Sequence, residues 1–230
     1  MHRISTFFIL VFTIPMIIAG CASQSIPAAT NDSYDSIGQE LIEMRDDDQR
    51  LEMLVVNKDP QAKEPGFFDR KDQAQADNAT RCKEIFAQIG YPSEPLVGED
   101  ASRAFWLLVQ HADADPAFQE QVAIAMKPVV LKGHAQPNDL AMLTDRVRIN
   151  TNRPQVFGSQ VKYDMQICKA MPKPTENPQE VDQRRAQVGL IPLWKYMNDM
   201  SELNFMINKQ YYQDLDVQHP YIYPEGFSDW

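Results

Sequence analysis

Phe105-Trp106-Leu107-Leu108-Val109-Gln110-His111-Ala112-Asp113-Ala114-Asp115-Pro116 is the stretch that decides the fold class of this chain. Its apolar run, traced back through Ala101 to about Glu99, is long enough for a helix and apolar around most of its circumference, which places it at a buried centre. Polar residues then interrupt it and Asp115-Pro116 restarts the chain. An aspartate there can accept a hydrogen bond from an orphan helix N–H, and proline at the first helical position gives up a hydrogen that has no partner in any case. Helix, polar turn, helix is the signature of a mainly α domain.

On both sides the periodicity stays helical. Ile37, Leu41, Met44, Leu51 and Val55 share one face and predict a helix over 36–56; Asn78 caps a second that carries Cys82, Ile85, Phe86 and Ile89 up to Gly90. The polar segment 57–77, broken by Pro60, Pro65 and Gly66, reads as a loop. Phe118, Val122, Met126 and Val129 continue the helix that begins at Pro116, with a kink expected at Pro128. Pro137 or Asn138 opens another through Leu140, Leu143 and Val147. Segments 155–161 and 165–169, flanking Tyr163-Asp164, predict a small β-hairpin. A short helix near 180–188 closes at Gly189, and Pro192 starts a last one bearing Leu193, Tyr196, Met197, Met200 and Leu203. The expected fold is therefore a compact multi-helix domain with a small hairpin over 36–208, followed by an aromatic-rich tail over 209–230.

The N-terminus gives an address. An apolar run from Ile4, just behind His2 and Arg3, closes on Ile18-Ala19-Gly20-Cys21. The run is shorter than the roughly 20 apolar residues that span a bilayer, and Pro15 lies inside it, so it reads as a signal peptide over 1–20. Its end resembles the bacterial lipobox, in which small residues fit a narrow peptidase pocket and the cysteine takes up diacylglycerol. The resemblance implies lipidation at Cys21, a flexible tether over 21–35 and a membrane anchor of several acyl chains in the cell envelope. Ala22 stands where an aspartate would signal inner-membrane retention, so in a host with two membranes the expected place is the outer one, facing the periplasm.

With 32 Asp and Glu against 22 Lys and Arg, less Arg3 if the leader leaves, the mature chain carries a net charge of −11. That balance repels phosphate backbones and argues against nucleic acid. Cys82 lies on an apolar helical face and reads as a small buried hydrophobe, and Cys168 has no implied geometry toward it, so no disulfide is expected. No CxxC pair or His/Cys cluster suggests a structural zinc, and no cofactor is implied.

Three readings compete for the polar run after Val109. His111 could serve as a general base, with Asp113 or another carboxylate orienting it; the histidine and the two carboxylates are also ligand types that suit zinc or a first-row metal; or the same residues could simply order a turn and a cap. The runs 102–119, Leu143-Thr144-Asp145-Arg146-Val147, Pro154-Gln155-Val156-Phe157-Gly158-Ser159-Gln160 and Val181-Asp182-Gln183-Arg184-Arg185, with Met44 and Asp48-Gln49 upstream, resemble a bacterial family catalogued as a domain of unknown function, number 6624 of that series. Phe157 and Ser159 stand where that family usually has tyrosine and threonine. The resemblance implies a common fold and a common set, His111, Asp113, Asp145, Arg146, Gln155, Gln160, Asp182 and Arg185, without supplying a reaction. Asp145 and Arg146 are neighbours on a helix, so each needs its own partner. Arg185 could clamp a carboxylate, either Asp113 or that of a ligand. Asp46, Asp47 and Asp48 diverge around a helix and read as a solvated face. The tail aromatics Tyr211, Tyr212, Tyr221, Tyr223, Phe227 and Trp230 stack on sugars, fold back on the core or meet a partner protein.

The reading that follows is an envelope-tethered lipoprotein whose polar set forms a ligand cleft for an envelope protein or cell-wall ligand. The alternative is a hydrolase with His111 as base, Asp113 or Asp145 as orienter, and Gln155, Gln160 or Arg185 holding substrate. An enzyme needs these groups to converge in an open pocket.

Overall fold

A computed structural model describes residues 31–230. The Ile18-Ala19-Gly20-Cys21 site, the signal peptide over 1–20 and the tether as far as residue 30 lie outside the described residues. Helix α1 (Asn31–Val56) starts five residues before the expected 36. The early turn carries no periodic signal because Ser33 to Ser36 include no buried residue, and the apolar stripe begins only at Ile37.

The larger correction concerns segment 57–77. Only its first part is a connector, with a short 3₁₀ turn over Pro60–Lys63 capped by the Asp59 side chain. Helix α2 (Phe67–Ile89) then runs straight through Asn78, the residue read as its cap. Its first half escapes periodicity because the inward positions hold Lys71, Gln75 and Asn78 in place of apolar residues.

Beyond it come a single turn α3 (Glu94–Val97) and the central helix α4 (Glu99–Gln110), in which Ala101, Ala104, Phe105, Leu108 and Val109 are buried as expected. Helix α1 passes closely over the end of α3 and the start of α4: a Cβ added at Gly38 would stand 2.9 Å from the Val97 carbonyl, so only glycine fits. Asp115 Oδ1 accepts from Phe118 N at 3.0 Å and opens α5 (Pro116–Leu131), which continues through Pro128. Helix α6 (Pro137–Asn150) packs on α5, and Trp106 Nε1 ties α4 to it by donating to the Asp139 carbonyl at 2.8 Å. These six helices enclose the main core of Leu41, Cys82, Ile85, Phe105, Leu108, Val122, Met126 and Leu143.

The hairpin exists but sits further along the chain than expected. Strands β1 (Val161–Asp164) and β2 (Lys169–Pro172) pair antiparallel, with Tyr163 opposite Ala170. Asp164 Oδ1 accepts from Gln166 N and starts the turn, inside what had read as the second strand, while 155–160 is a loop. Helices α7 (Val181–Gln187), α8 (Leu193–Ile207) and α9 (Lys209–Asp214) follow. A second, smaller core joins Ala170 of the hairpin to Val181, Leu193, Met197 and Tyr223. Tyr223 belongs to the tail, which folds back: its hydroxyl donates to the Ala170 carbonyl at 2.9 Å, and Asn198 pairs with its backbone at 2.7 and 3.0 Å. Among the described residues no helix is long and apolar enough to cross a membrane.

Cys82 and Cys168 are both buried and unbridged, Cys82 in the main core and Cys168 in the hairpin turn, where its thiol meets the Ser201 carbonyl of α8. Burial pushes the Cys82 thiol up to about 12 and raises that of Cys168 as well. Full-length Cys21→Ser protein is therefore expected to show two reactive thiols when unfolded without reductant, and slow labelling of both when native. Zero thiols in the unfolded chain would mean a bridge.

Candidate functional site

The polar set predicted to meet in one place divides into two, and the division runs between Asp145 and Arg146. On α6 these neighbours point to opposite sides. Asp145, completely buried, accepts from the backbone of Val156 (2.7 Å), Phe157 (3.0 Å) and Ser159 (2.8 Å). Arg146 reaches the α4–α5 turn, where its Nε meets Asp113 Oδ1 at 2.7 Å.

The Asp145 half is a scaffold for the 154–160 loop. Gln155 donates to the carbonyls of Gln160 and Lys173 and accepts from Gln160 N. Arg185, 1% exposed, donates to the carbonyls of Phe157 and Ile191, and its guanidinium lies over the Tyr196 ring. Asp182 accepts from Leu193 N at 2.6 Å, the N-terminus of α8. Each of these groups is spent on backbone that the chain itself would otherwise leave unpaired, so Arg185 does not clamp Asp113, and Asp145 does not orient His111.

The His111 half faces water. The ring closes the C-terminal end of α4, where its Nδ1 lies 2.7 Å from Asp48 Oδ2. This orienting carboxylate is neither Asp113 nor Asp145 but a residue of α1, 63 positions away. Asp48 is 4% exposed. Burial pushes its carboxyl up, yet the hydrogen bond and charge of His111, with smaller contributions from Gln49 and Lys71, outweigh that and hold it below the usual carboxylate range. Sequence reasoning treated Asp46, Asp47 and Asp48 alike. Asp48 could have been separated from its neighbours, since it stands four residues after Met44 and three before Leu51, on the apolar stripe. Asp113 behaves similarly: burial raises it, while Arg146, Asn150 and Gln119 together bring it below the usual range. With those three partners Asp113 fastens the turn to α6.

Between α2, the α4–α5 turn and α6 lies a groove of about 640 Å³, with His111 in its wall. Because Nδ1 is taken by Asp48, Nε2 is the ring nitrogen left to meet whatever enters, and among the described residues it makes no hydrogen bond. Lys71, Lys83 and Arg146 line the same groove, each held by a carboxylate: Glu52 at 2.7 Å, Asp115 at 2.5 Å and Asp113. Lys71 and Lys83 come from the helix that the sequence pattern half concealed. Of the polar inward positions that erased the periodicity of α2, Lys71 and Gln75 line this groove. Among the described residues no group of three or more His, Cys, Asp or Glu side chains is gathered to hold a metal ion.

No curated protein and no solved structure matches the chain. A family model does, over residues 35–207, the span from the first turns of α1 to the end of α8 that contains both halves of the polar set. The chain belongs to that family, a family of unknown function designated DUF6624.

Proposed function

We propose that this protein is a lipid-anchored domain of the bacterial cell envelope that takes a small polar ligand into the groove beside His111. The observation that carries the binding reading is the state of the His111 ring: one nitrogen is fixed on a buried carboxylate, the other makes no hydrogen bond among the described residues, and the residue lines an open groove. A histidine kept only to join α1 to α4 would gain nothing from such a groove. The lining alternates cations with carboxylates, which suits a ligand bearing both donors and acceptors, such as a short peptide or amino sugar from the cell wall, and suits a polyanion poorly. The envelope address rests on the apolar run ending at Ile18-Ala19-Gly20-Cys21, and the outer membrane, facing the periplasm, is the reading that Ala22 favours.

Two measurements test this. Intact mass of the protein extracted from membranes should begin at Cys21 and carry a lipid increment, with Cys21→Ser left unprocessed; a mature form starting elsewhere refutes the anchor. Titration of isotope-labelled protein with soluble muropeptides should shift the His111, Lys71 and Arg146 signals together, and His111→Ala should remove the effect. Muropeptides that leave all three unmoved refute the groove as a cell-wall ligand site.

A further inference from the structure

We infer that the groove is catalytic, with Asp48 and His111 acting as a general-base pair that activates water against an uncharged ester or amide. The inference rests on the groove being the ligand site proposed above. Asp48 holds Nδ1 at 2.7 Å, so the neutral ring carries its proton there and offers the lone pair of Nε2 to the groove. The carboxylate also stabilises the imidazolium that forms once Nε2 takes a proton. Asp48 is nearly sealed from solvent, and among the described residues no Lys or Arg lies within ion-pair distance of it, so the ring is its principal charge partner, with Gln49 donating to the same oxygen at 3.1 Å.

Water is the nucleophile because the lining offers no better one: its one hydroxyl, Thr80, donates back to the Ala76 carbonyl, and neither described cysteine reaches the groove. In the step, a water proton passes to Nε2 while the water oxygen bonds to the acyl carbon. The bond from that carbon to the leaving oxygen or nitrogen breaks, and the leaving group takes the proton back from Nε2. One water is consumed and a carboxylic acid and an alcohol or amine are formed, so atoms and protons balance with no further reagent. Charge selects the substrate class. Four carboxylates, Glu52, Asp72, Asp113 and Asp115, stand against three cations in the lining, which disfavours a multiply charged phosphoryl group and leaves an uncharged acyl centre as the better fit.

The test uses full-length protein in detergent with p-nitrophenyl acetate as the probe ester. Hydrolysis above buffer should fall by roughly 10²-fold or more in His111→Ala, the range of general-base effects. Asp48→Asn, which keeps the side-chain shape, should also lose most of the rate, while His134→Ala and His219→Ala should match wild type. D₂O should slow the reaction if water is deprotonated in the step. Thermal melts of each variant separate loss of fold from loss of chemistry. A His111→Ala rate equal to wild type, an Asp48→Asn rate equal to wild type, or accumulation of an acetyl-imidazole would each overturn the general-base pair. Muropeptide shifts at His111 without any His111-dependent hydrolysis would overturn catalysis and leave the binding reading standing.

Discussion

Asp145→Ala is expected to destabilise the domain by about 4 kcal/mol, one of the two largest losses of any single replacement in the polar set. The carboxylate is fully buried and accepts from three backbone N–H groups, those of Val156, Phe157 and Ser159, at 2.7, 3.0 and 2.8 Å. Alanine would leave all three donors without an acceptor inside a dry interior, and a hydrogen bond to a charged acceptor contributes about 1.5–3 kcal/mol. The contributions do not add fully, because the loop can relax. Relaxation is limited by Gly158, which holds φ +71° while a Cβ there would meet Leu193 Cδ1 at 2.9 Å, so the loop has little freedom to swing outward or to accept a replacement. Asp145→Asn should lose about half as much, keeping one acceptor while turning an amide NH₂ toward a backbone donor. Urea unfolding of the three proteins checks this. A loss below about 1 kcal/mol for Asp145→Ala would mean that the loop is held from elsewhere.

How much of this could be read in the sequence depends on which way each residue faces. Helices α4, α5 and α6 were legible because their stripes face the main core and their ends carry unambiguous punctuation, Asp115-Pro116 above all. The first half of α2 was not, since Lys71 and Gln75 on its inner side line the groove, and a helix with Lys71, Gln75 and Asn78 at its inward positions has the pattern of a loop. The hairpin was placed early because Gln155 to Val161 looks extended and is so in part, yet the extended backbone winds around Asp145 instead of pairing with a strand. The loop binds a side chain 10 or more positions upstream, and no local propensity reports that.

The site shows the same limit. That Asp145 and Arg146 must seek different partners followed from their adjacency on a helix, and the structure bears it out. The partner of His111 did not follow, because the nearest carboxylates in sequence, Asp113 and Asp115, are occupied by Arg146 and by the α5 cap. The partner comes from α1, which packs along α4. Residues with one chemistry in the sequence thus have two fates: those whose polar atoms meet backbone hold the chain, and those left facing open space are available for a ligand.

Arg185 carries the second large effect, and it tests whether the scaffold behaves as one unit. Its guanidinium is buried, with no carboxylate in contact among the described residues; it donates instead to the carbonyls of Ile191 and Phe157, both at 2.6 Å, and lies 5.0 Å from the centre of the Tyr196 ring. Burial pulls its pKa down from the ordinary guanidinium value, while Tyr196, Asp182 and Asp145 oppose the shift. Arg185→Ala would leave two carbonyls unpaired, open a cavity against Tyr196 and remove the positive charge that faces Asp145, for a loss of about 3–5 kcal/mol. Arg185→Lys restores the charge at a single nitrogen that cannot reproduce the spread of a guanidinium, and should recover less than half of that loss. Phe157 links the two effects, giving its N–H to Asp145 and its carbonyl to Arg185. Once either side chain is gone the 154–160 loop has already loosened, so the second replacement removes less than it would alone. A double-mutant cycle between Asp145→Asn and Arg185→Lys should therefore show a coupling within the range of about 0.5–3 kcal/mol found for residues sharing a network. Strict additivity would show two independent anchors, and the loop would then not be the joint through which the six-helix core and the hairpin core are fixed to each other.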